Sequence, residues 1–112
     1  MKTCAFMPLL TLSVTGLALL MSSCVTVEQA APPVARLSIP PARSGPCEQG
    51  RQIYVTTCVK CHSIEPIADH SMEDWTGDIL PRMCRKSKLT PEQSSAVTAY
   101  VAAAHAAPPA PR

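Results

Sequence analysis

Cys58-Val59-Lys60-Cys61-His62 is the stretch that decides how this chain is read. As C-x-x-C-H it carries the pattern of covalent haem attachment. Two thiols three residues apart, on one turn of helix, can each add to a vinyl group of the same porphyrin. The histidine directly after the second cysteine then lies under the iron, where its imidazole serves as proximal ligand. Cys58 and Cys61 are therefore predicted to hold one haem c, and His62 to bind its iron. Three plainer readings compete. A thioredoxin-like pair needs a strand-helix-strand setting, and the chain has few strand-forming runs. A zinc half-site needs a second C-x-x-C or an H-x-x-x-H to close a tetrahedron, and neither is present. A structural disulfide leaves His62 unexplained.

Upstream, the chain opens as an export signal. Met1-Lys2-Thr3 is a short positive start, Ala5 to Met21 is apolar without a charge, and the small Ser22-Ser23 precede Cys24. The run is too short, and ends in residues too small, for a membrane span. Leu20-Met21-Ser22-Ser23-Cys24 resembles a bacterial lipobox, with Met21 where the pattern prefers leucine. That resemblance implies a signal peptide over residues 1–23 and an acylated Cys24 as mature N-terminus. The acyl chains would anchor the protein on the periplasmic side of a bacterial membrane. If the lipobox is not used, secretion into the periplasm is expected.

The cysteines sort along the same lines. Of six, Cys4 leaves with the leader, Cys24 takes lipid, and Cys58 and Cys61 take haem. Cys47 and Cys84 remain as an even pair in an oxidising compartment and are expected to form a disulfide. Such a bridge would contribute roughly 3 to 4 kcal/mol by the chain-entropy estimate, a useful addition where the core is small. Charge says less. Without Lys2, nine basic side chains face eight acidic ones, and no nucleic-acid footprint is visible.

Residues 24–46 contain Ala31-Pro32-Pro33, Ile39-Pro40-Pro41 and Ser44-Gly45-Pro46, with no helical or strand periodicity. They are read as the lipidated cysteine and a disordered, Pro-rich tether that holds the domain off the membrane. The domain is placed at residues 47–107 and a disordered tail at 108–112. Gly50, Tyr54 and Cys58 recur every four residues on one face of a first helix, where the glycine lets a second helix come close. Val97, Tyr100 and Val101 supply the matching face near the end of the chain. Thr90-Pro91-Glu92-Gln93 opens that last helix as a capping box with proline at its first position. Between them, Ser71 can cap a middle helix whose Trp75, Ile79 and Met83 lie four apart. Pro81 interrupts its hydrogen-bond ladder, so a kink or break is predicted near Gly77 and Pro81. The fold class is all-α, three or so helices around one haem.

By these residues the chain resembles the class I c-type cytochrome family, carried as a lipoprotein. The likeness rests on Gly50, Tyr54, the Cys58-x-x-Cys61-His62 motif, Trp75, Met83, Leu89 and Tyr100, and spans Gly50 to Val101. It implies that the first and last helices cross through Gly50, Tyr54 and Tyr100. It also implies that a proline carbonyl, here that of Pro66, accepts the other N–H of His62. The segment between His62 and Met83 is shorter than in the better-known carriers, and no glycine-rich loop precedes Met83. Met83 is the leading candidate for the iron's second ligand, since a thioether there raises the reduction potential. His70 and Met72 are alternatives, and His105 or an open position are left standing.

The function expected is one-electron transfer by a membrane-tethered periplasmic monohaem cytochrome, as free carrier or as haem subunit of an oxidoreductase. A haem sensor or ligand-binding protein with an open or weak distal position is the alternative. A peroxidase-like enzyme is disfavoured, because no Arg-His pair can be placed over an open iron and the walls leave little room for substrate. A haem-free structural lipoprotein is the reading that lack of covalent haem would favour. Arg82, Arg85, Lys86 and Lys88 form a basic cluster beside Met83, fitted to an acidic redox partner protein.

Overall fold

A computed structural model describes residues 25–108, and these residues form an all-α domain. The order is a short helix α1 (Val27–Ala30), a long helix α2 (Pro41–Thr56), an interrupted middle helix, and α5 (Pro91–His105). The middle helix comprises α3 (Met72–Asp74), a π-helical turn over Trp75–Ile79, and α4 (Leu80–Lys86). Short 3₁₀ turns lie at Val34–Arg36, Cys58–Lys60 and Ile67–Asp69.

The crossing of α2 and α5 is the spine of the domain, and Gly50 makes it possible. A Cβ at Gly50 would stand 2.1 Å from the Ala96 carbonyl oxygen and 2.8 Å from the Tyr100 Cβ. Only a residue without a side chain lets the backbones meet this closely. Around the crossing lie Ile53, Tyr54, Val97, Tyr100 and Val101, all buried. Tyr54 meets the rings of Tyr100 and Trp75, each at 6.1 Å between centroids and in tilted or edge-on geometry, the arrangement that ring quadrupoles favour. Thr90 caps α5 as predicted: its hydroxyl accepts from the Gln93 N–H, and the Gln93 side chain accepts from the Thr90 N–H. Ser71 caps α3 in the same reciprocal way, with Asp74 as its partner.

The expected break in the middle helix takes the form of the π turn. The Leu80 N–H reaches back five residues to the Trp75 carbonyl, so the chain widens just before Pro81, where a ladder donor is missing. The widening also changes the face on which later residues fall. Eight residues of plain α-helix leave Met83 roughly 80° round from Trp75, and a π turn takes up much of one extra residue's rotation, about 100°. Trp75, Ile79, Leu80 and Met83 thereby share one cleft.

Residues 25–46 correct the predicted tether. They pack on the domain instead of standing free of it. Thr26 caps α1 with a capping box to Gln29, and Ala30, Ala31, Val34 and Leu37 are buried in the core. The Tyr100 hydroxyl donates to the Pro32 carbonyl at 2.8 Å, and Arg51 Nε donates to the Ala31 carbonyl at 3.3 Å. The prolines act as local fittings: Pro40 precedes α2, Pro41 takes its first position, and Pro46 sits inside it. The helix accordingly starts six residues before Cys47, and the domain includes the strap from Thr26 onward.

Among the described residues no helix is long and apolar enough to cross a membrane. The predicted signal peptide, Cys24 and residues 109–112 lie outside the described residues.

Candidate functional site

Three stretches of chain converge on one cleft. Its lining includes Tyr54, Cys58, Val59 and His62 from the end of α2 and the turn that follows. Ile64, Glu65 and His70 come from the connecting loop, and Trp75, Ile79, Leu80, Arg82 and Met83 from the middle helix. Its cavity volume is about 200 Å³, and it opens to solvent. Most of the wall is apolar, and the two aromatic side chains on it have their polar atoms turned to fixed partners. The Trp75 indole N–H donates to the Ile67 carbonyl at 2.9 Å. The Tyr54 hydroxyl donates to the Glu65 carbonyl. Together these bonds fasten both ends of the 65–67 segment, which forms the floor between the two cysteines' turn and the middle helix.

α2 ends at Thr56, and Cys58–Lys60 continue as a 3₁₀ turn that carries Cys58 into the cleft. Cys61 and His62 are exposed at its end. Burial pushes the Cys58 thiol above its ordinary value, and the nearby charge of Cys84 pushes the same way. The imidazole of His62 is oriented by its neighbour: Nδ1 lies 2.6 Å from the Ser63 carbonyl oxygen. A carbonyl can only accept, so Nδ1 carries the proton and Nε2 keeps its lone pair free for a ligand. Ser63 therefore takes the part expected of Pro66, whose carbonyl accepts from the Asp69 N–H instead.

The candidates for a second donor are separated by the fold. Met83 and His70 both line the cleft. Met72 packs half-buried against the core beside it. His105 is drawn away: its Nε2 donates to the His70 carbonyl at 3.1 Å, and its ring lines a different groove. His70 stands edge-on to Trp75 at 5.5 Å and faces Glu65 at 3.8 Å. A soft thioether and an imidazole are thus both within the cleft that holds Cys58 and His62, a donor set suited to a planar, metal-bearing group with apolar faces. Among the described residues, no three His, Cys, Asp or Glu side chains gather to hold a bare ion by themselves.

Cys47 and Cys84 are free thiols, so the expected bridge is absent. Cys84 lies near Cys58, close enough for their charges to interact. Cys47 stands eleven residues before Cys58, at the far side of the α2–α5 crossing. Cys47 is instead a buried core residue whose thiol is pushed up by burial.

The lining residues that sequence reasoning left out are Ile64, Glu65, Leu80 and, as a wall residue, Arg82. Arg82 is drawn into an i,i+4 pair with Asp78 at 2.9 Å on the rim, a spacing visible in the sequence. No family model, curated protein or solved structure matches this chain.

Proposed function

We propose that this protein is a monohaem c-type cytochrome that transfers single electrons from a membrane-anchored position in the bacterial periplasm. The observation that carries the reading is the convergence of Cys58, His62 and Met83 on one apolar cleft. The donors fit a covalently attached haem: a partly buried thiol, an imidazole whose Nε2 is free, and a thioether. When bound, the haem supplies the one-electron iron couple. Cys58 and Cys61 hold it, and His62, kept in one tautomer by the Ser63 carbonyl, offers Nε2 as proximal ligand. Trp75, Ile79 and Leu80 line the cleft and would keep water from the bound group, which would favour its less charged reduced state. Met83 would supply the second protein ligand in this reading, favoured by its thioether chemistry over His70, which lines the same cleft. The chain's role is ligation and shielding, with no bond made or broken in a substrate.

Arg85, Lys86 and Lys88 are exposed at the end of α4, one turn from Arg82 on the cleft rim. This cluster supports docking of an acidic redox protein beside the cleft, with an on-rate that falls as salt rises.

The test is the absorption spectrum of the mature protein made alongside haem-attachment machinery. The expected result is a covalently bound, low-spin haem with the weak far-red charge-transfer band of thioether-ligated ferric iron. Met83→Ala should abolish that band and lower the potential. Retention of the band in Met83→Ala would exclude Met83 as ligand. A ferrous form that is high-spin and binds carbon monoxide at once would replace the carrier reading with a sensor, and lack of covalent haem would end both.

A further inference from the structure

Among the described residues, Val25 and Val27 are the large hydrophobic side chains left most open to solvent, 55% and 49% exposed, and they stand at the very start of the described chain. Cys24 precedes them directly. Nothing between that cysteine and the domain can serve as slack. Thr26 already caps α1, and Ala30 and Ala31 are buried at 1% and 0% exposure. The strap is then pinned by Tyr100 and Arg51 through the Pro32 and Ala31 carbonyls. The single charge on α1, Glu28, faces Arg36 at 3.9 Å.

We infer that the edge formed by Val25 and α1 is a lipid-docking face, seating the domain directly on the bilayer surface. This rests on the reading of Cys24 as an acylated anchor. Acyl chains on Cys24 place the next residue at the headgroup boundary, where exposed valine side chains leave water favourably. An anchor followed at once by packed structure fixes orientation, whereas a free tether would not. The strap and the Ile67 turn line one groove, and the Ile67 carbonyl accepts from Trp75 in the cleft wall.

The mature full-length protein, in vesicles of phosphatidylcholine and phosphatidylglycerol, gives the test. The mass of the N-terminal peptide first reports acylation of Cys24. An unmodified Cys24 overturns the anchor reading itself, and the inference falls with it for that recognisable reason. With acylation present, neutron reflectometry on a supported bilayer should find the protein layer in contact with the headgroups. A tether over residues 25–46 would instead allow a stand-off of up to roughly 70 Å at about 3.1 Å per residue. Insertion of about twenty Gly and Ser residues between Cys24 and Val25 should open such a gap. Trypsin cleavage after Arg36 should run on the order of a hundredfold slower than in an unfolded control, since it needs the strap to open. A separated protein layer in the native protein, or rapid release of the domain by a cut after Arg36, overturns the docking face while leaving lipidation intact.

Discussion

Gly50 and Tyr100 set the crossing of the two long helices, and each makes a measurable claim. Gly50→Ala puts a methyl group 2.1 Å from the Ala96 carbonyl oxygen, a backbone atom that cannot swing aside. The expected loss is about 3 kcal/mol or more, at the upper end of overpacking costs, read from denaturant unfolding. Tyr100 is buried, and burial pushes its hydroxyl up to about 12, against a smaller opposing effect of Arg51. The folded protein therefore keeps a proton that the unfolded chain begins to lose near pH 10. Stability from this group is complete below pH 10 and declines as pH rises toward 12. Tyr54 adds a change of the same sign, chiefly through its own burial. Tyr100→Phe should flatten part of the alkaline decline in melting temperature. At neutral pH it should cost about 1 kcal/mol through loss of the bond to Pro32.

The elements differ in how plainly the sequence announces them. Thr90-Pro91-Glu92-Gln93 and Ser71 read correctly because capping is chemistry within one turn. Gly50 and Tyr54 were legible because they keep helical spacing on one face, whereas Tyr100 as the partner at the crossing came from the family resemblance alone. The strap was illegible because Ala30, Ala31, Val34 and Leu37 follow no period; their burial depends on α2 and α5 lying beneath them. The Cys47–Cys84 bridge failed for a related reason, since counting thiols carries no information about distance. Within the cleft, Cys58, His62 and Met83 were nameable from residue chemistry. The Ser63 carbonyl and the floor made by Glu65 and Ile67 depend on a loop conformation that no local pattern specifies. The π turn yields the sharpest prediction at this scale. Deleting Thr76, which is exposed, should restore plain α-helix and leave Met83 seven residues from Trp75, still near its face. Inserting one alanine after Thr76 should instead swing Met83 about 100° away. If Met83 ligates haem as proposed, the far-red band should survive the deletion and vanish on insertion, with helical circular dichroism unchanged in both.

For the molecule as a whole, the strap is part of the core. Removing residues 25–39 frees the Tyr100 hydroxyl from the Pro32 carbonyl and deletes four buried side chains. The gross hydrophobic loss is several kcal/mol, offset in part by the freed chain entropy, leaving about 2 to 4 kcal/mol of net destabilisation. Equilibrium urea unfolding of the truncated domain measures it, and unchanged stability would mean the segment contributes nothing to the fold. The bond from Tyr100 to Pro32 joins residues 68 positions apart, and the main partner of α2 is α5, the last helix described. Such a closure has a consequence for the order of events during synthesis. The chain emerges N-terminus first, so the strap, α2 and the middle helix are complete before Val97 and Tyr100 appear. During that interval α2 can meet the strap and Trp75 but lacks the helix that crosses it at Gly50. Closure around the cleft is therefore timed by delivery of the final helix, and a chain cut short before Ala96 lacks the crossing that builds the core.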